Sequence, residues 1–264
     1  MFKKNEVGVL VATDRSQEWL LPWWWSNYRA RNRFPVTFVD FGMTLEAQKW
    51  CSSKGDLIAI DSSFPSIALK EHVPSELRAK WEAIYGQTIW QARLNWFKKP
   101  WAMARFPYNY TLWLDIDCEV LGPLDPLFAA CAKKPSLYLA VETCPSYESE
   151  VANELISPDA TLYNSGVVVY PKNSFLISEW SRIATLENHR FWNDQSLLSH
   201  LIFSTKEPVC RLDPIYNWRI SQGVNIEAVI IHWVGHWGKN YIKTFGGLRP
   251  ELEKLGLTEG IAKL

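Results

Sequence analysis

The chain has 264 residues, enough to bury a sizeable core as one domain. Lys plus Arg and Asp plus Glu both number 28, and the zero net charge excludes a global attraction to nucleic acid or to anionic lipid. Five cysteines (Cys51, Cys118, Cys131, Cys144 and Cys210), odd in number and without a C-x-x-C pair, argue against a disulfide framework and for free thiols in a reducing, cytoplasmic compartment.

In chain order, residues 6–13 form a short apolar run that predicts a first strand. Two lysines precede it, but Glu6 and Asp14 make the start a poor signal peptide, and no window approaches a spanning helix. A helical pattern follows at 16–31. Its aromatic stretch LPWWWSNY (21–28) reads as a core helix, with a peripheral membrane contact as the alternative. A strand is expected at 35–42, a helix at 44–53 and a strand at 56–61. The pattern at 75–99 predicts one long helix opening on Ser75 as N-cap after Pro74. Strands at 110–117, 137–142 and 162–171 come next, then helices at 174–187 and 193–203, and a late strand at 227–233 running into a Trp/Gly-rich loop. Alternating strands and helices predict an α/β fold whose largely parallel sheet is covered on both faces. Without repeats or linkers, we expect a single domain over 1–264.

Ligands of open α/β sheets sit at the carboxyl ends of the strands. Asp14, Asp40, Asp61, Asp115 and Asp117 all follow apolar strands, although turns and caps also favour aspartate. In LWLDIDCEV (112–120), strand alternation puts Trp113, Asp115 and Asp117 on one side, so the two carboxylates converge. That arrangement is unfavourable without a cation between them, and paired oxygen ligands suit Mn²⁺ or Mg²⁺. Downstream, Asn164, Ser165 and Gly166 open a strand. The glycine permits close backbone approach and the asparagine can hydrogen-bond a hydroxylated ligand, or the group is merely a turn. Asp194 and Gln195 open a helix, where a first-turn acid also suits the dipole. His232 ends the late strand, either as a buried hydrogen-bonded side chain or as a third ligand beside two carboxylates.

The ordered set LWLDID, YNSGVVVYP, NDQSLL and IHWVGHWGK resembles the GT-A glycosyltransferases, and is most similar to the retaining family-eight group that includes glycogenin and bacterial galactosyltransferases. The similarity spans roughly residues 6–240. It implies a Rossmann-like fold with a mixed, mostly parallel sheet, a nucleotide-sugar donor with UDP as the nucleotide, and a divalent cation, usually Mn²⁺. By the same resemblance, Asp115, Asp117 and His232 would hold the metal, with Asp115 also toward the donor. Asn164 and Gly166 would lie against the donor sugar, and Asp194 and Gln195 on its reacting face. Lys239 would meet the diphosphate, and Gly235 matches the glycine of the same loop. Ala12, Thr13 and Asp14 would form the base and ribose edge, and Lys99 or Arg105 would reach phosphate or sugar hydroxyls. The loop departs from the family's His-x-x-Gly-x-x-Lys-Pro-Trp by one extra residue before Lys239 and by lacking Pro-Trp, which leaves His236 as a rival to His232. We favour His232 for its place at the strand end. The implied activity is metal-dependent transfer of a sugar to a glycan or lipid-linked saccharide with retention. The rival readings are a haloacid dehalogenase-like phosphohydrolase, disfavoured by Glu119 where that motif has Thr or Val; a nucleotidyltransferase, disfavoured by the lack of glycine in VATDRSQ; and a sugar-nucleotide-binding protein without turnover.

Overall fold

The computed structural model describes residues 6–60, 66–105 and 108–254. Its strands are β1 (Val7–Thr13), β2 (Val36–Asp40), β3 (Asp56–Ala59), β4 (Tyr110–Leu114), β5 (Cys118–Val120), β6 (Tyr138–Val141), β7 (Tyr163–Pro171), β8 (Cys210–Arg211), β9 (Trp218–Arg219) and β10 (Ile230–His232). Seven of them form one sheet in the order β3-β2-β1-β4-β7-β6-β8. The run from β3 to β4 is parallel, β7 lies antiparallel between β4 and β6, and β8 joins β6 in parallel. The remaining three make a small sheet, β5-β10-β9.

Side-chain alternation divides the core between the two faces of the large sheet. Val9, Val11, Leu112, Leu114, Val167 and Val169 pack on one face with Trp24 and Tyr28 of the helix Leu21–Arg31. Leu10, Trp113 and Val168 point to the other, against Trp101 and Trp180. The aromatic run at 21–28 is thus a core helix: Trp24 is fully buried and stacks on Tyr28 at 5.1 Å, and Trp23 Nε1 donates to the Gly246 carbonyl. Among the described residues no helix is long and apolar enough to cross a membrane.

The α/β fold with a mixed, mostly parallel sheet is as expected, but four local expectations are corrected. The strand expected at 110–117 ends at Leu114, because the chain leaves the large sheet through a turn closed by Cys118 N–H on the Asp115 carbonyl at 3.0 Å. The long helix at 75–99 is three helices, Ser75–Tyr85, Ile89–Trp96 and Lys98–Arg105, broken first at Gly86, whose φ of +73° no helix accommodates. Ser75 lies inside the first of these, and Pro74 precedes it in extended conformation without a side-chain cap. The Trp/Gly-rich segment after β10 is a helix, Gly235–Phe245, in which Trp237, Tyr241 and Phe245 recur every fourth residue after Trp233 and contact one another along one side. Asp61 lies outside the described residues.

Candidate active site

The change of sheet between β4 and β5 creates the site. Asp115 and Asp117 sit on the turn itself, so it is the bend and not strand pleating that brings each of them toward His232, with Asp117 and not Asp115 in the tight 4.8 Å group around the imidazole. β10 pairs with β5 so that His232 lies opposite Cys118. Its Nε2 stands 3.3 Å from Asp117 Oδ1 and 3.8 Å from Asp115 Oδ2. His236, the rival ligand, is exposed on the following helix, where its Nε2 meets Asn240.

A chain of hydrogen bonds sets the imidazole. The backbone N–H of Gly166 donates to Asn164 Oδ1 at 2.9 Å, which orients that amide. Asn217 therefore turns its Nδ2 to the same oxygen, 2.8 Å away, and its own Oδ1 to His232 Nδ1 at 3.1 Å. Nδ1 keeps its proton, and the Nε2 lone pair faces two carboxylates. Lone pair and carboxylates repel unless a cation lies between them, and one imidazole nitrogen with carboxylate oxygens is a donor set that fits Mn²⁺ or Mg²⁺. Gly166 is part of the cradle: a Cβ there would come within 2.1 Å of the His232 ring. The Cys118 thiol falls in the same 4.8 Å group as Asp117 and His232, but burial pushes its pKa well up and it donates to the Gly166 carbonyl.

Two ammonium groups face the aspartates. Lys99 is buried and lies 3.0 Å from Asp115 Oδ1, 3.1 Å from Asp194 Oδ2 and 3.0 Å from Ser165 Oγ. Burial opposes its charge, yet the two carboxylates outweigh that and hold its pKa above the ordinary value. Lys239 reaches Asp117 Oδ2 at 2.5 Å from the helix that Gly235 begins, the glycine holding φ of +79°. Burial alone would raise the Asp117 carboxyl, but the Lys239 ammonium beside it holds it well below the usual carboxylate range. Arg105 is exposed, with its guanidinium over Trp101.

A cavity of about 110 Å³ opens beside this cluster, lined by Ala12, Thr13, Asp14, Asn95, Trp96, Lys99, Trp113, Asp115, Asp117 and Lys239 among others. It lies at the carboxyl ends of β1 and β4, where β1 pairs with β2 on one side and with β4 on the other. Asp14 serves both of its readings: Oδ1 accepts from the N–H groups of Ser16 and Gln17, closing a turn, while Oδ2 accepts from Asn95 at 2.6 Å in the cavity wall. Asp40 closes a turn onto Gly42 and Met43.

Asn164, Gly166, Asp194, Gln195 and His232 do not line that cavity and form a buried flank instead. The Asn164 amide is engaged internally, with Nδ2 donating to Glu142 Oε2 at 2.7 Å and more weakly to Gln195. Asp194 is tied to Lys99 and to Ser165 Oγ. Gln195, less buried, donates through Nε2 to Glu142 at 3.2 Å. Glu142, Asn217 and Arg219 escaped the sequence reading. Glu142 follows β6, and although burial raises its carboxyl, the guanidinium of Arg219 at 3.3 Å and the amide donors bring it below the ordinary value. A signal for Glu142 existed, an acid directly after an apolar run as with Asp115. Arg219 ends a two-residue strand and Asn217 directly precedes that strand, with no pattern to read.

No family model matches the chain, and no curated protein matches it in sequence. Solved structures do match. Galactosyltransferase LgtC, in complex with donor and acceptor sugar analogues, superposes with a TM-score of 0.55 over 97% of each chain at 13% identity. Mouse xyloside xylosyltransferase 1 gives 0.54 at 15% identity, covering 86% of this chain and 97% of its own. Core-mannan synthase A from Aspergillus fumigatus, in an Mn/GDP form, gives 0.51 at 10% identity over 75% and 69%. At these identities the likeness is one of fold, and with the strand order and the placement of the cavity it shows that this chain has the fold of the GT-A glycosyltransferases.

Proposed function

We propose that the chain is a metal-dependent glycosyltransferase that moves a sugar from a nucleotide-sugar donor, with UDP as the nucleotide, to a glycan or lipid-linked saccharide, with retention of anomeric configuration. The observation that carries this reading is the meeting of His232 Nε2 with Asp115 and Asp117, two residues that line a cavity on the strand ends. Asp115, Asp117 and His232 would hold Mn²⁺ or Mg²⁺, which when bound supplies Lewis-acid stabilisation of the negative charge that grows on the departing diphosphate. The Mn/GDP form of core-mannan synthase A supports a metal and a nucleotide in this fold.

Around that seat each protein group has a definable task. Ala12, Thr13 and Asp14 form the cavity edge that would receive base and ribose, and Lys239 is a cation within the same walls for phosphate oxygens. Lys99 pairs with Asp115 and Asp194 at once, holding both carboxylates in place. Gln195 presents a neutral amide beside Asn164 and Glu142, able to steady a cation-like sugar without attacking it. An inverting reaction needs a carboxylate base free to take the acceptor's proton. Asp194 is committed to Lys99 and Glu142 to Arg219, which supports retention, the proton passing to the leaving phosphate oxygen. LgtC, too, has a glutamine in its active site, replaced by glutamate in one solved mutant.

A thermal-shift screen of UDP-, GDP- and CMP-sugars with and without Mn²⁺ tests the assignment through linkage. Stabilisation by a UDP-sugar only when Mn²⁺ is present is the expected result, and indifference to every donor would remove it. NMR of the product decides the stereochemistry, since an inverted linkage from an anomerically pure donor contradicts retention.

A further inference from the structure

Lys99 and Lys239 both aim an ammonium at the aspartate pair, yet they are held differently. Lys99 is buried among Asp115, Asp194 and Ser165, a three-point attachment that leaves it nowhere to go. Lys239 has a single such partner among the described residues, Asp117 Oδ2 at 2.5 Å, and its side chain is 23% exposed at the cavity wall. His232 Nε2 lies 3.3 Å from the other oxygen, Asp117 Oδ1, so the ammonium and the imidazole meet at one carboxylate.

The charges reinforce the point. Asp115, Asp117 and Asp194 bring three negative charges and Lys99 and Lys239 two positive ones, so with neutral imidazole the cluster carries a net charge of −1. A divalent cation added with Lys239 in place would make it +1 in a poorly hydrated site, with an ammonium and a metal ion competing for one carboxylate. If Lys239 swings off Asp117, the carboxylate is released to the metal and the ammonium is released to an anion in the same cavity. A diphosphate is that anion, and its charge cancels the excess.

We infer that Lys239 is the resident counter-cation of the metal seat, competing with the metal when no nucleotide is bound and turning to the diphosphate when one arrives, so that metal and donor bind as a coupled pair. This rests on the metal reading above, and the test separates the two. Mn²⁺ is titrated against the nucleotide-free protein with the free ion followed by electron paramagnetic resonance, for wild type, Lys239→Met and Lys239→Arg. The variant without the ammonium should bind Mn²⁺ about tenfold more tightly, and Lys239→Arg should stay within about threefold of wild type. Calorimetry at saturating Mn²⁺ should show the opposite sign for UDP, with Lys239→Met binding it about tenfold more weakly. Unchanged or weaker Mn²⁺ binding by Lys239→Met overturns the inference and leaves the metal reading standing. Absence of Mn²⁺ binding by wild type and variants alike overturns the metal reading, and this inference with it. Melting curves establish that each variant is folded, and Lys239→Gln replaces the Met variant if it is not.

Discussion

The cavity flank and the buried flank of the site are built on opposite terms. Around the cavity, Asp115 is about a quarter exposed and Lys239 hangs on one carboxylate oxygen, so these groups can exchange their partners for a ligand's. Across the turn, Asn164, Asn217, Glu142, Arg219 and His232 form a closed set in which each member holds at least one other and nearly all are buried. Buried polar groups of this kind rigidify a site only when satisfied, and here they fix the tautomer of His232 and the seat of Gln195. One flank is thus built to exchange partners and the other to hold its own in position.

The sharpest break of this division is Asp117→Asn, which removes the carboxylate charge shared by Lys239 and His232 while keeping the side chain's shape. Transfer should fall about 1,000-fold, with the melting temperature changed by only a few degrees. Retention of activity within about tenfold would move the metal seat to Asp115 alone. On the positioning flank the effect should be smaller. Asn217→Ala frees His232 Nδ1 and the Asn164 carbonyl oxygen without touching the carboxylates, and Mn²⁺ affinity should drop by about 10- to 100-fold, as is usual when the outer partner of a ligating histidine is lost. Titration of Mn²⁺ checks it; an affinity equal to wild type would mean that packing against Gly166 alone orients the ring.

The binding flank was readable in the sequence to a much greater extent than the positioning flank, for a physical reason. Ala12 to Asp14 and Asp115 follow apolar runs that must be strands, and a strand end is a local signal. Even the turn at Asp115 to Asp117 was hidden, because Leu112, Leu114 and Ile116 continue the strand's alternation past the residue where pairing with β7 stops at Leu114 and Val167. The positioning contacts join residues far apart in the chain: Asn217 meets Asn164 across 53 positions and Glu142 meets Gln195 across the same number. Nothing local announces such pairs. Gly166 shows the limit from the other side, since the need for a glycine was visible but its cause, the volume of the His232 ring, lay in β10.

Glu150 probes how completely the buried flank must be satisfied. It lies in the helix Cys144–Ala152, is 4% exposed, and accepts from Ser196 Oγ at 2.5 Å directly behind Asp194 and Gln195. Burial pushes its carboxyl up to about 7, against the hydrogen bonds from Ser196 and Trp192 and with Glu142 and Asp194 adding to the rise. A carboxyl raised on folding keeps a proton that the unfolded chain has released, so its contribution to stability is fully present below about 4.5 and is lost as pH climbs to about 7. Glu150→Gln keeps an acceptor for the Ser196 hydroxyl and cannot ionise. The variant should match wild type in melting temperature near pH 4.5 and exceed it by a few degrees at pH 8. Equal curves at both pH values would mean that the Glu150 carboxylate is accommodated in the fold as an anion, and that this flank tolerates a charge which its visible partners do not balance.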